Sequence, residues 1–166
     1  MKWELKDLSY YLAYGIEFTS MVKLGDTVQK FKLSAHHLIG SDWFKNKLIL
    51  RPYSDLIKEI EIKGEKFIPI VELAKLSGDK IKAVVDLTYR KFETENHEQY
   101  KIEYIDDSKN MTEFNFNPHL DRFWKAINHD YIAFVNQKQL FEKLHEWGFD
   151  TGNYISSGLA VDSNSL

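Results

Sequence analysis

Three groupings of imidazole and carboxylate have the residue types of a metal site: His36-His37, His119-Leu120-Asp121 and His129-Asp130. Neutral imidazole and carboxylate are common ligands of divalent ions, and an ion held by several of them would activate water for phosphodiester hydrolysis. Adjacent side chains such as His36 and His37 reach one ion only where the backbone bends to converge them. Ser54-Asp55 sets a hydroxyl beside a carboxylate, but no Gly-x-Ser-x-Gly elbow encloses it and no histidine is tied to it by spacing. Ser54 is better read as accepting from the free amides that begin a helix. Asp106-Asp107 falls in a turn-rich stretch, where solvated charge is the ordinary reading. The chain has no cysteine, which removes thiolate nucleophiles, disulfides and cysteine-bound metal centres. We therefore assign no catalytic and no metal-binding residue, expect no cofactor, and read the histidines as solvated or capping side chains. A small metal-assisted nuclease or phosphohydrolase is the competing enzyme reading.

The doublet His129-Asp130 is similar to that of metal-dependent phosphohydrolases of the HD type, but the match ends there. That architecture is a helical bundle, whereas half of this chain alternates like strands. Binding is better represented. Trp43 and Phe44 sit between Gly40-Ser41-Asp42 and Lys45-Asn46-Lys47, a segment of loop character. Exposed, two such rings would be partner anchors worth about 2 kcal/mol or more each; buried, they would plug one end of the core. Arg51 stands on an extended segment before a helix start, where guanidinium and free amides could hold a phosphate or carboxylate, or pair internally with Asp55. Tyr89, Tyr100 and Tyr104 with Arg90, Lys91 and Lys101 could stack nucleic acid on a sheet face, although Glu93, Glu95, Glu98 and Glu103 oppose it.

The elements that must carry these residues follow from periodicity. Tyr14, Ile16 and Phe18 alternate as a strand, and Gly25-Asp26 supplies a hairpin turn before Thr27–Leu33. Arg51-Pro52 favours an extended approach to a short helix carrying Leu56, Ile57 and Ile60. A turn at Gly64 precedes a second helix that opens at Pro69 and stops at Gly78. Val85, Leu87 and Tyr89, then Tyr100, Ile102 and Tyr104, then Phe114 and Phe116 alternate as a three-stranded antiparallel meander. Leu120, Phe123, Trp124, Ile127, Tyr131, Phe134 and Val135 recur at helical spacing, and Asn136–Gln139 opens a final helix that Gly148 ends. The reading is an α+β fold: one domain over residues 1–166, a curved, mainly antiparallel sheet with short helices, and two C-terminal amphipathic helices packed on it.

Three segments resemble a group of short open reading frames found in phages and prophages of Bacteroidota, marked by an I-L-R-P-x-S-D-L segment and a G-L-A-[IV]-D tail. They are Leu8–Ile16, Leu48–Ile60 with Gly64–Ile70, and Phe149-Asp150 with Gly158–Asp162; the chain departs from the group at Tyr53 and Ser163. The resemblance implies a mobile-element origin and a small accessory protein, a class that includes antagonists of host defence. Within that class we expect a non-enzymatic binding protein, such as an anti-CRISPR inhibitor, whose partner is a host protein or ribonucleoprotein. Direct nucleic-acid contact is open but not indicated, since the 166 residues carry a formal charge of −3 without a basic block. No run approaches the ~18 apolar residues of a membrane span, so the expectation is a protein of the host cytoplasm. The sequence sets no oligomeric state. A virion or assembly component is a further alternative.

Overall fold

The structure is a computed structural model describing residues 5–19, 30–32, 47–92, 97–128, 130–133 and 135–166. The chain divides into two compact units, Met1–Pro52 with Glu142–Leu166, and Tyr53–Phe141. Its architecture is a mixed α+β fold of antiparallel sheets and short helices.

In the first unit, helix α1 (Leu5–Leu12) buries Leu8 and Tyr11, with Leu12 packed beside them, an i, i+3, i+4 stripe. Gly15 ends the helical turn with φ of 62° and donates to the Leu12 carbonyl. Strands β1 (Glu17–Thr19), β2 (Lys30–Lys32) and β3 (Lys47–Leu50) pair antiparallel in the order β3-β1-β2. The C-terminal strand β11 (Ala160–Asp162) adds to β3 in parallel, Ala160 opposite Leu48. Phe18, Leu48, Leu50 and Ala160 close this core over α1. The segments Leu8–Ile16, Leu48–Arg51, Phe149-Asp150 and Gly158–Asp162, far apart in sequence, thus assemble in one place. The expected strand at Tyr14 begins only at Glu17, and the hairpin turn at Gly25-Asp26 lies outside the described residues.

The second unit opens with a 3-10 helix (Tyr53–Ile57) and the hairpin β4 (Ile60–Ile62) to β5 (Glu65–Phe67). Lys63 and Gly64 both have positive φ, 54° and 85°, as a two-residue type I′ turn demands. Helix α2 (Pro69–Leu76) begins at proline and ends as Ser77 and Gly78 donate to its last carbonyls. The expected meander is present as β6 (Ile81–Phe92), β7 (His97–Asp106) and β8 (Met111–Asn117). It is extended by β9 (Arg122–Ile127) and β10 (Asp130–Ala133), and all five strands lie in sequential order. Register aligns Leu87, Ile102 and Phe114 in one row of the inner face and Tyr89, Tyr100, Phe116 and Phe123 in the next. Phe116 stacks on Phe123 at 4.3 Å, and Phe141 meets Phe123 edge-on at 5.3 Å.

Strands β9 and β10 correct the expected helix over Leu120–Val135. Leu120, Phe123, Trp124 and Ile127 fit a helical stripe, but Phe123 packs inward while Trp124 is half-buried on the opposite face, so apolar positions on both faces imitate the helical period. The turn chemistry decides. Asn117 Oδ1 accepts from His119 N at 2.9 Å and Leu120 N at 3.0 Å, and Asp121 has φ of 45°, which folds the chain back onto β8. Among the described residues one C-terminal α-helix remains, α3 (Gln137–Glu146). Asn136 Oδ1 caps it from Gln139 N, and Gly148, at φ of 75°, ends it with Phe149 N donating to the Leu144 carbonyl. Among the described residues no helix is long and apolar enough to cross a membrane.

Candidate binding edge

Strand β6 ends the five-strand order, so one side of its backbone pairs with β7 and the other meets no described strand. Alternation places Leu87 and Tyr89 on the inner face opposite Ile102 and Tyr100; Asp86, Thr88 and Arg90 take the other face, opposite Glu103, Lys101 and Gln99. A bulge between Val84 and Asp86 and an irregularity between Ile81 and Ala83 interrupt the ladder. Val84, Val85, Tyr89 and Phe92 remain 45%, 50%, 43% and 41% exposed, a concentration of large apolar groups along one strand. Tyr89 packs on Tyr100 at 5.1 Å and donates to Glu98 Oε1, while the Tyr100 hydroxyl donates to Glu98 Oε2. Burial, reinforced by Glu98, pushes the Tyr100 phenol far up, so it stays a donor. Asp86 accepts from Thr88 Oγ1 at 2.5 Å and Leu87 N at 2.9 Å, and these bonds, led by Thr88, hold its carboxyl below the usual range. Arg90 is exposed and makes no hydrogen bond or ion pair among the described residues.

Tyr89, Tyr100 and Tyr104 do not share an exposed stacking face. Tyr100 and Tyr104 are buried, and Lys101 points to the opposite face, bonded to Glu103 and 3.7 Å from Glu113. The inner face also carries a buried polar bolt. Lys125 Nζ lies 3.0 Å from both carboxylate oxygens of Asp79 and 3.3 Å from the Ser77 carbonyl, and the Tyr104 hydroxyl donates to the same carboxylate. All three ammonium donors are used, so the group fastens the end of α2 to the sheet.

Of the expected partner-binding residues, Trp43 and Phe44 lie outside the described residues. Arg51 is half-buried in the first unit, where its amide donates to the Gly148 carbonyl at 2.8 Å and its carbonyl accepts from Asp150 N at 2.9 Å. Asp55 is buried in the second unit and takes Lys58 at 2.9 Å. Ser54 lies within the 3-10 helix rather than ahead of it.

Beside Arg51 stands a cluster that sequence reading passed over. His145 Nε2 is 2.7 Å from Thr151 Oγ1, which is 3.1 Å from the Tyr11 hydroxyl; that hydroxyl donates to the Phe149 carbonyl. Imidazole beside hydroxyl is the geometry of a general base and its nucleophile. Here the same atoms close a turn. His145 is stacked on Tyr10 at 4.9 Å and meets the edge of Tyr11, and burial holds its pKa below the usual value. Burial pushes the Tyr11 phenol up to about 12, and Asp150, raised by burial, accepts from Tyr154 N and Ile155 N.

His36, His37 and His129 lie outside the described residues; His119, Asp121 and Asp130 are exposed. Among the described residues no group of three or more His, Asp or Glu side chains could hold a metal ion. The pair Asp106-Asp107 is divided, Asp106 accepting from Asn110 N at 2.8 Å and Asp107 standing 3.9 Å from Lys80. Comparison with protein-family models, curated proteins and solved structures gave no match. The edge itself was partly legible: the adjacent valines Val84-Val85 break the alternation, which is how a bulge reads in sequence. That β6 would be terminal in the sheet had no local signal.

Proposed function

We propose that the chain is a phage-encoded, non-enzymatic binding protein that docks a host protein or ribonucleoprotein through the edge of β6 that meets no described strand. The observation that carries this reading is the twelve-residue terminal strand with Val84, Val85, Tyr89 and Phe92 exposed along it. Sheet proteins ordinarily keep edge strands short or covered, because unpaired backbone amides and carbonyls accept a further strand; β6 is long, and its irregularities and charges restrict which strand can add. Strand addition takes affinity from main-chain hydrogen bonds and specificity from alternate side chains, which here would be Tyr89 on one face and Arg90 on the other. Antagonism of host defence, as by an inhibitor of a CRISPR effector in the host cytoplasm, suits a protein whose means of action is occupation of a surface. The resemblance of three segments to phage and prophage reading frames supports that setting.

The test is affinity capture from host cells with wild type and a Val85→Lys/Phe92→Lys variant. Both positions are exposed, so the changes should leave the fold stable to within about 0.5 kcal/mol. A reproducible host partner retained by wild type and lost by the variant supports the reading. A partner held equally by both refutes docking at this edge.

A further inference from the structure

We infer that β6 also pairs with β6 of a second copy of this chain, antiparallel about a two-fold axis at Thr88, joining two five-stranded sheets into one. The inference rests on reading β6 as a docking edge and names an occupant for it. Across an axis at Thr88 the sequence is self-complementary. Asp86 falls opposite Arg90 of the second copy, Leu87 opposite its Tyr89, and Thr88 opposite its own counterpart, and each pair then recurs by symmetry. Such an axis, normal to the sheet, preserves its two faces. Asp86, Thr88 and Arg90, on the face of Lys101, continue as one polar row, while Leu87 and Tyr89 continue the inner face of Ile102 and Tyr100.

The charges select this register. Strand β6 carries Lys82, Asp86, Arg90 and Lys91. An axis at Asp86 opposes two aspartates and sets Lys82 against Arg90; axes at Arg90 or Lys91 oppose like cations, which destabilises a cross-strand pair. Axes at Leu87 or Tyr89 match no opposite charges. An axis at Val84 would pair Lys82 with Asp86, but it runs through both irregularities of the ladder. The Thr88 axis leaves them outside the five central positions. It also engages Arg90, which has no hydrogen bond or ion pair among the described residues, with the exposed carboxylate of Asp86.

The test is the mass of the full chain by sedimentation equilibrium over a dilution series, for wild type, Asp86→Arg, Arg90→Asp and the double exchange. Wild type should be a dimer that dissociates on dilution. Each single change sets like charges opposite one another twice and should weaken association about tenfold or more. The double exchange should restore it. Within one chain Arg90 acts on Asp86 only as the smallest of the influences on its carboxyl, without an ion pair, and that attraction does not change the mass, so restored association reads the pairing between copies. A monomer at every concentration, or a dimer indifferent to both single changes, overturns the inference. If wild type is monomeric while host capture still depends on Val85 and Phe92, the second copy is excluded and the docking edge stands. A dimer that shows the charge rescue, with host capture indifferent to β6, would retain the pairing and remove the host reading.

Discussion

Among the described residues Thr112 Oγ1 and Asn115 Nδ2 are buried without a hydrogen-bond partner, but the charged side chains that the fold buries, Asp55, Lys101, Lys125 and Asp150, are each matched rather than poised for reaction. Lys125 illustrates this. It stands opposite Phe114 on the inner face, where an ammonium would be unfavourable but for Asp79, the Ser77 carbonyl and the Tyr104 hydroxyl that completes the group. Lys125→Met strands a carboxylate beside the core and should cost roughly 3 kcal/mol in urea unfolding, while combining it with Asp79→Leu should recover part of that loss. Sequence did not disclose the pair, because a lysine within a strand reads as outward-facing and its partner lies 46 residues away. His145 gives a pH-dependent prediction. Burial lowers its pKa, so the unfolded chain takes up the proton first, and the stability present above about pH 6.5 is lost as pH falls through the depressed folded value. Asp150 opposes it: burial raises its pKa, so its contribution is present in acid and is lost as pH rises through the folded value. His145→Gln should therefore flatten the fall in unfolding free energy between pH 7 and pH 5. An unchanged slope would remove His145 as its source.

At the scale of elements, what the sequence disclosed was local. Pro69 and Gly78 bound α2, Asn136 and Gly148 bound α3, and the alternation of Tyr100, Ile102 and Tyr104 marks β7, because each signal lies within a few residues of its cause. Helix α1 went unread: Leu8, Tyr11 and Leu12 make a stripe too brief to stand against the polar residues around it. Strands β9 and β10 were misread because rings on both faces of a paired strand repeat at intervals that a helix also uses. Gly148 offers a test of the C-terminal cap. At φ of 75°, with an added Cβ only 3.3 Å from Ile16 Cδ1, Gly148→Ala should lower stability by about 1–2 kcal/mol in urea unfolding, chiefly through backbone strain.

For the whole molecule, the candidate site is a consequence of topology. Five strands laid down in sequential order leave the first of them, β6, at one end of the sheet; twelve residues long, it carries exposed Val84, Val85, Tyr89 and Phe92. The two irregularities and the charges at Lys82, Asp86, Arg90 and Lys91 are devices that deter indiscriminate strand pairing, so the strand that does pair must match them. Strand composition was readable, but terminal position depends on the order of all five strands, which no window of sequence contains. Arg51, which the sequence singled out, belongs to the other unit, where its backbone pairs with Gly148 and Asp150. The direct measurement is site-specific photo-crosslinking in host cells from a reactive residue placed at Val85 or Phe92, with exposed Leu120 as the control position. Discrete adducts, with a host protein or with a second copy, are expected from both β6 positions and none from Leu120. Adducts from Leu120 alone, or none from β6 in any host, would contradict it.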